Sequence, residues 1–374
     1  MSQEQNPAIL VIGAGNGGKG LAADLAVRGY TVRLYNRTFE HIEAMASRGG
    51  IEVTLENGKK EFGVLQMVTS EAAEALDGTK LVMVVVPATG HRTIATTCAP
   101  YLKANQIIIL IPGRTGGALE FQQALKDSGC QADVTIAETE TLPFISRSKG
   151  PAEVHILRRK NALMLAALPA NRTSTVMDIL KGIFPQLVSV PNVLYTSLNT
   201  MGAIFHPPLV LLNLGRIETE DSEFEFYSEG VTPSIVPVLE RLDCERVAVA
   251  MALDVQVQSA NEWLMKAYAT DKNNLYDSLH SSSIYKGVTA PRTAQHRYIF
   301  EDVPYSIVPI TELGRYLDVD VSCMETMIYL ASTIHGTDYR QEGRTLVRMG
   351  LEGLTLPEIK CLVEKGQRVA DRIR

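Results

Sequence analysis

Cysteine is scarce: five in 374 residues, at Cys98, Cys130, Cys244, Cys323 and Cys361. No CxxC pair occurs, and the scatter fits neither a disulfide framework nor a zinc site. They read as reduced, mostly buried thiols of a cytoplasmic protein, and no metal is expected. A basic excess is also lacking. Lys and Arg number 36 against 42 Asp and Glu, for a formal net charge of −6. The cations are spread rather than clustered, which argues against nucleic acid as the main partner. No apolar stretch approaches the roughly 18 residues of a membrane helix. The opening MSQEQNPAIL has no basic region followed by a long apolar run, so a soluble chain without a leader or membrane anchor is expected. Low-complexity linkers and internal repeats are missing as well.

What is present has an ordinary globular composition, 45% hydrophobic and 21% charged. The length exceeds one compact core and suggests two domains. Ala8–Ile12 is a short apolar run that ends in Gly13-Ala14-Gly15-Asn16-Gly17-Gly18. Helical apolar spacing follows over Lys19–Arg28, and a second strand over Tyr30–Tyr35. Strand, glycine turn and helix in this order mark a dinucleotide site. Gly13 permits the turn, Gly15 lets the backbone approach a pyrophosphate, and Gly18 lets helix and strand pack closely. Asn16 and Gly17 lie on the same loop, where the helix amino terminus meets the phosphates. The other reading is a turn for some different phosphate ligand.

After the second strand stands Asn36-Arg37-Thr38, where an NAD enzyme would carry an acid for the ribose 2′-hydroxyl. Nothing there repels a 2′-phosphate, and all three side chains suit one, so NADP(H) is favoured over NAD(H). A solvated Arg37 beside bound NAD is the alternative. Lys80–Val86 and Gln106–Ile111 are continuous apolar runs of strand length, as in parallel strands covered on both faces. They lead into Pro87-Ala88-Thr89-Gly90-His91 and Pro112-Gly113-Arg114-Thr115-Gly116-Gly117. Ligands lie beyond strand carboxyl ends in such sheets, so both loops, Pro87 included, should border the cofactor. Arg114 is a candidate for a substrate carboxylate, or part of a surface turn. Asp133–Ala137 is a further strand, and the Glu138 and Glu140 that follow either receive a substrate amine or are solvated. Val154–Leu157 and Ala162–Leu168 read as a hairpin about Arg158-Arg159-Lys160, and Thr175–Phe184 as a helix. The short buried strands end near Pro185–Pro191. The expected architecture is thus an α/β Rossmann-type dinucleotide-binding domain over 1–188 followed by an all-α helical domain over 189–374.

Helical spacing marks Val231–Ala269 and Ser322–Thr333, and Thr355-Leu356-Pro357-Glu358 is a capping-box start. The apolar segment Asn199–Glu218 carries His206 just before Pro207 and Pro208, where a kink or break is expected. Asn192, Asn199, His206 and Asn213 recur at intervals of seven and would share one stripe of a helix. Asn199 on that stripe is a candidate for positioning substrate. By itself His206 reads equally as a buried core histidine at a kink. Ser281–Pro309 is a polar segment in which Arg297 and Asp302 stand out, and Glu301-Asp302-Val303-Pro304 also reads as a plain polar turn.

The glycine loop, PGRTGG, ETETLPF, FHPPLVLLNLGRIE and RYIFEDVPYSIVP, in this order and over nearly the whole chain, resemble the opine dehydrogenase family of octopine/nopaline type. The resemblance implies a Rossmann domain joined to an all-helical one. It implies an enzyme that joins an amino acid to a 2-oxo acid by reducing the imine between them with NAD(P)H. Matched residue by residue, it makes His206 the catalytic histidine, Asp302 its aspartate partner and Arg297 the substrate-carboxylate arginine. Asn36-Arg37 departs from the NADH-dependent animal members. Two other readings remain at this point. One is an NADP-dependent 2-oxo acid or hydroxy acid reductase of the ketopantoate reductase or 6-phosphogluconate dehydrogenase-like class, with Lys286 or Lys266 as acid/base. The other is a non-enzymatic NADP-sensing protein. The expected partners are small-molecule substrates, with a homodimer through the apolar carboxyl-terminal helices as an option.

Overall fold

The computed structural model describes residues 8–219, 223–268, 272–282 and 284–366, with residues 267 and 268 as backbone only. Residues 269 and 283, which fall in two of the segments singled out above, lie outside the described residues. The chain divides into two compact units, Met1–Thr196 with Gly353–Arg374, and Ser197–Glu352.

Among the described residues, twelve strands belong to the first unit: β1 Ile9–Ile12, β2 Val32–Tyr35, β3 Gly50–Thr54, β4 Lys60–Val64, β5 Met67–Thr69, β6 Leu81–Val84, β7 Ile107–Leu110, β8 Thr135–Thr139, β9 Phe144–Gly150, β10 Glu153–Arg159, β11 Leu163–Leu168 and β12 Leu187–Ser189. Eight form one sheet in the order β12-β11-β8-β7-β6-β1-β2-β5. Pairing is parallel from β5 across to β8. Then β11 joins β8 antiparallel and carries β12 parallel to itself. β1, β6 and β7 are buried at every position, which is why they read as unbroken apolar runs. Their register aligns Ile12 with Val84 and Val84 with Leu110, so the loops beginning at Gly13, Val85 and Ile111 open at one edge.

A second sheet, in the order β4-β3-β10-β9, packs on the first helix, Asn16–Val27. That helix is covered from two sides and is built of small residues, LAADLAV after its glycines. A Cβ on Gly20 would stand 2.9 Å from the buried Phe144 ring, and one on Gly63 2.8 Å from the Ala23 carbonyl oxygen. Two charged groups of the helix are held by this sheet. Lys19 Nζ donates to Ser148 Oγ (2.9 Å) and the Gly150 carbonyl (3.1 Å), and Arg159 pairs with Asp24.

The expected hairpin of Val154–Leu157 with Ala162–Leu168 is not formed. The first segment lies in β10, paired with β9 and β3, and the second becomes β11 in the large sheet. The patterns explain the separation: Val154 and Ile156 alternate with less buried residues, as in a strand with one covered face, whereas LMLAAL is buried almost throughout. Burial of the cysteines also differs from expectation: Cys98 is buried, Cys244 is exposed, and Cys130, Cys323 and Cys361 are intermediate.

Among the described residues the second unit is helical apart from a single bridge between Glu225 and Thr289. Its longer helices are Gly202–Leu212, Val236–Ala252, Ala260–Tyr268, Val308–Tyr316 and Ser322–His335. Helical spacing over Val231–Ala269 is interrupted after Ala252, near Asp254, which takes a left-handed φ of 56°. The final helix, Leu356–Lys365, starts with the anticipated capping box, Thr355 N and Oγ1 donating to Glu358 Oε2 at 2.8 and 2.7 Å. It belongs to the first unit, where Ile359, Leu362 and Val363 face β11 and the Ala170–Arg172 turn. The division therefore falls at Thr196/Ser197 rather than 188/189, and the chain end returns to the unit that begins it. No described helix is long and apolar enough to cross a membrane.

Candidate active site

The glycine loop does what its sequence requires. Gly13 has φ of 109°, and a Cβ there would lie 2.4 Å from the Val85 carbonyl oxygen. A Cβ on Gly18 would stand 1.9 Å from the Gly13 carbonyl oxygen, so helix and turn are in direct backbone contact. Gly15 has nothing within 4 Å in that direction. It also caps the helix without a side-chain bond, so the first-turn N–H groups can donate to an anion. Gly17 borders Leu142 and Val85. Asn16 also braces the loop: its Oδ1 accepts from Ser148 N (2.8 Å) and its carbonyl from Ser146 Oγ (2.8 Å). These features fit a dinucleotide pyrophosphate.

At the end of β2, Asn36 Nδ2 donates to the Thr38 carbonyl (2.9 Å), which folds the turn back on itself. Arg37 is exposed at its tip and Thr38 is half-buried. Pro87 leads into a short turn, Ala88–Gly90, and His91 is buried at the start of the helix behind it.

Beyond β7 and β8 lies a charged cluster. Arg114 takes a left-handed φ of 60° and is half-buried. Glu138 is fully buried, accepting from Ala118 N (2.8 Å) at the start of Gly117–Asp127 and from Thr196 Oγ1 (2.5 Å). That carboxylate is committed to the fold, contrary to the reading of it as a receiver of substrate amine. It also explains Gly113, whose Cβ would meet Glu138 Oε2 at 2.3 Å. Glu140 Oε1 accepts from Met164 N (3.4 Å). Lys160, which the sequence offers only as part of a basic turn, donates Nζ to Thr141 Oγ1 (2.8 Å). Burial lowers the Lys160 ammonium from its ordinary range and Arg114 adds to this, while Glu140 opposes it.

In the helical unit His206 and Asp302, 96 residues apart in sequence, are in contact: Nδ1 donates to Asp302 Oδ2 over 2.7 Å. The Asp302 side chain is 1% exposed and that of His206 is 20% exposed. His206 sits mid-helix in Gly202–Leu212, which runs on through Pro207 and Pro208. The breaks come at its ends, around Met201 and Asn213, rather than at the histidine. Because Val193–Leu198 and Gly202–Leu212 are separate helices, the amide stripe does not form. Each asparagine instead serves its own segment. Asn192 Oδ1 accepts from Leu194 N (3.0 Å), Asn199 Oδ1 from Gln258 N (3.3 Å), and Asn213 Nδ2 donates to the Leu209 and Gly230 carbonyls, both at 2.9 Å.

Asp302 follows the short helix Arg297–Phe300 and precedes a π-helical turn, Val303–Ile307, of the kind common at functional sites. Residues four apart in this segment share a side. Arg297 Nε and Nη2 donate to Glu301 Oε2 at 2.9 and 2.6 Å, with Glu301 2% exposed and Arg297 52% exposed. Tyr298 and Asp302 both meet His206, the tyrosine ring stacking on the imidazole at 3.9 Å and 17°. Tyr298 and Glu301 were not among the expected site residues; the i, i+4 spacing from Arg297 and to Asp302 is the signal that could have found them.

A family model described as NAD/NADP octopine/nopaline dehydrogenase, alpha-helical domain, matches residues 189–335. A ketopantoate reductase PanE/ApbA model matches residues 9–166. The opine dehydrogenase of Arthrobacter sp. (strain 1C) is 38% identical over 356 residues, covering 95% of this chain and 98% of the relative. The chain belongs to the opine dehydrogenase family. Octopine dehydrogenase of Pecten maximus is 22% identical over 98% of both chains. Two solved structures share the fold. Octopine dehydrogenase in complex with NADH and agmatine has a TM-score of 0.82 at 21% identity, over 97% of this chain and 99% of that one. Yersinopine dehydrogenase with NADP+ bound has a TM-score of 0.73 at 16% identity, over 97% and 99%. This opine dehydrogenase is an NAD(P)-dependent oxidoreductase, and its reaction class is the reductive condensation of an amino acid with a 2-oxo acid. The match to the ketopantoate reductase family model covers residues 9–166, in the dinucleotide-binding part. The lysines that such a reductase would use, Lys266 and Lys286, are exposed, whereas His206 is paired with the buried Asp302.

Proposed function

We propose that this opine dehydrogenase uses NADPH, with His206 as the acid/base, Asp302 as the carboxylate that orients it and Arg297 as the anchor for a substrate carboxylate. The observation that carries the reading is the 2.7 Å bond between a partly exposed imidazole and a buried aspartate. With Nδ1–H held by Asp302, the tautomer is fixed and Nε2 is the nitrogen left for chemistry. Addition of the amine to the oxo acid gives a carbinolamine, and loss of water from it requires a proton on the departing hydroxyl. The His206 imidazolium gives that proton, and Asp302 stabilises the cation before it does so. Arg297 uses one side of its guanidinium for Glu301, which leaves Nη1 and the adjacent edge to grip a carboxylate. NADPH, when bound, would supply the hydride for the C=N carbon; Gly13, Gly15, Gly17, Gly18 and Pro87 would hold its pyrophosphate, and Arg37 its 2′-phosphate. Arg114, Glu140 and Asn199 are assigned to substrate as well.

The test is a steady-state comparison. His206→Ala should lower kcat by about 10²- to 10⁴-fold while the NADPH dissociation constant stays near wild type. Full turnover in that variant would remove His206 from the mechanism. Arg37→Ala should lower kcat/KM for NADPH by roughly 10- to 100-fold and leave the value for NADH unchanged. Equal use of both cofactors by the wild-type enzyme would refute the NADPH preference.

A further inference from the structure

We infer that Tyr298 is a positioning residue for His206, with Phe226 as its support; the inference rests on the reading of His206 as the acid/base. The bond to Asp302 restrains one edge of the imidazole but still allows the ring to swing about the N–O axis. The stacked Tyr298 ring, at 3.9 Å and 17°, blocks that swing on one face. Tyr298 is itself backed by Phe226, stacked at 5.4 Å and 24°, and met edge-on by His296 at 4.4 Å and 78°. Phe226, Tyr298 and His206 form a pile from the fully buried phenylalanine out to the partly exposed histidine. One backbone turn supplies both restraints, since Tyr298 and Asp302 are four residues apart at the entry to the π-helical turn. The resting geometry is therefore set in the free protein, which is what an efficient proton donor needs.

The experiment uses the full-length enzyme with NADPH, an amino acid and a 2-oxo acid, and compares Tyr298→Leu, Tyr298→Phe, Phe226→Leu and His206→Ala. Tyr298→Leu should lower kcat about tenfold, with the oxo acid KM and the NADPH Kd within about threefold of wild type. Tyr298→Phe, which keeps the ring, should restore wild-type kcat. Wild-type kcat in Tyr298→Leu, or a Tyr298→Phe no better than Tyr298→Leu, would overturn the inference. Should Tyr298→Leu lose NADPH binding through misfolding, Phe226→Leu decides: a smaller kcat loss at unchanged KM and Kd supports the proposal, and wild-type kcat overturns it. A fully active His206→Ala would refute the assignment of His206 itself, whatever the tyrosine variants show.

Discussion

His296 shows how closely charge is managed around the proposed acid/base, His206. Its imidazole is held below the ordinary histidine value of 6.5, first by burial and then by the charges of Arg297 and His206, with Asp302 pulling the other way. Kept neutral, it accepts from Tyr298 N at 3.4 Å and so caps the short helix that carries Arg297. A group whose folded value is depressed stabilises the fold fully above its unfolded value, and that contribution is lost as pH falls through the folded value. The Tm of the wild type should accordingly fall on going from about pH 7 to pH 5, through this and other groups. His296→Asn retains an acceptor but does not titrate, so its Tm should fall by less over the same interval. Equal losses in thermal melts of the two proteins would show that His296 contributes nothing to the acid sensitivity. At this scale the sequence picked out His206 and Asp302, which the fold brings into contact. It did not single out Tyr298, whose spacing from Asp302 was readable but whose stacking on His206 and Phe226 depends on distant segments.

Among the elements, the glycine loop and the helix after it carry the clearest division of labour. Gly18 is required by packing, its Cβ direction being filled by the Gly13 carbonyl, while Gly15 faces open space. Alanine at the two positions should therefore have opposite signatures. Gly15→Ala should leave the Tm of the cofactor-free protein within about 2 °C of wild type and weaken NADPH binding. Gly18→Ala should lower that Tm by several degrees, in line with overpacking costs of about 1–3 kcal/mol. Melts and fluorescence titrations without and with NADPH check both, and a shared signature would refute the distinction. The strands of the large sheet were legible because continuous apolar runs between turns have few other solutions. The four-stranded sheet was not, because β3, β4, β9 and β10 carry mixed patterns and come from separate stretches, so their pairing is decided by the helix they cover. The asparagine stripe failed for a related reason: a seven-residue interval has meaning only within one helix, and the segment from Asn192 to Asn213 is two.

For the whole molecule, length pointed to two domains, and the order of motifs pointed to the family. The course of the chain end was not legible. Leu356–Lys365 has an amphipathic pattern that suits either unit, and only its contacts with β11 and the Ala170–Arg172 turn assign it to the first. The first helix offers a last consequence. Its amino-terminal end is locked between two sheets by small residues, whereas Arg37 stands exposed on the turn after β2. If Arg37 reads the 2′ position as proposed, the dinucleotide is recognised from the core and its 2′-phosphate from the surface, and one nicotinamide cofactor can be exchanged for the other by a few surface replacements without the fold registering the change.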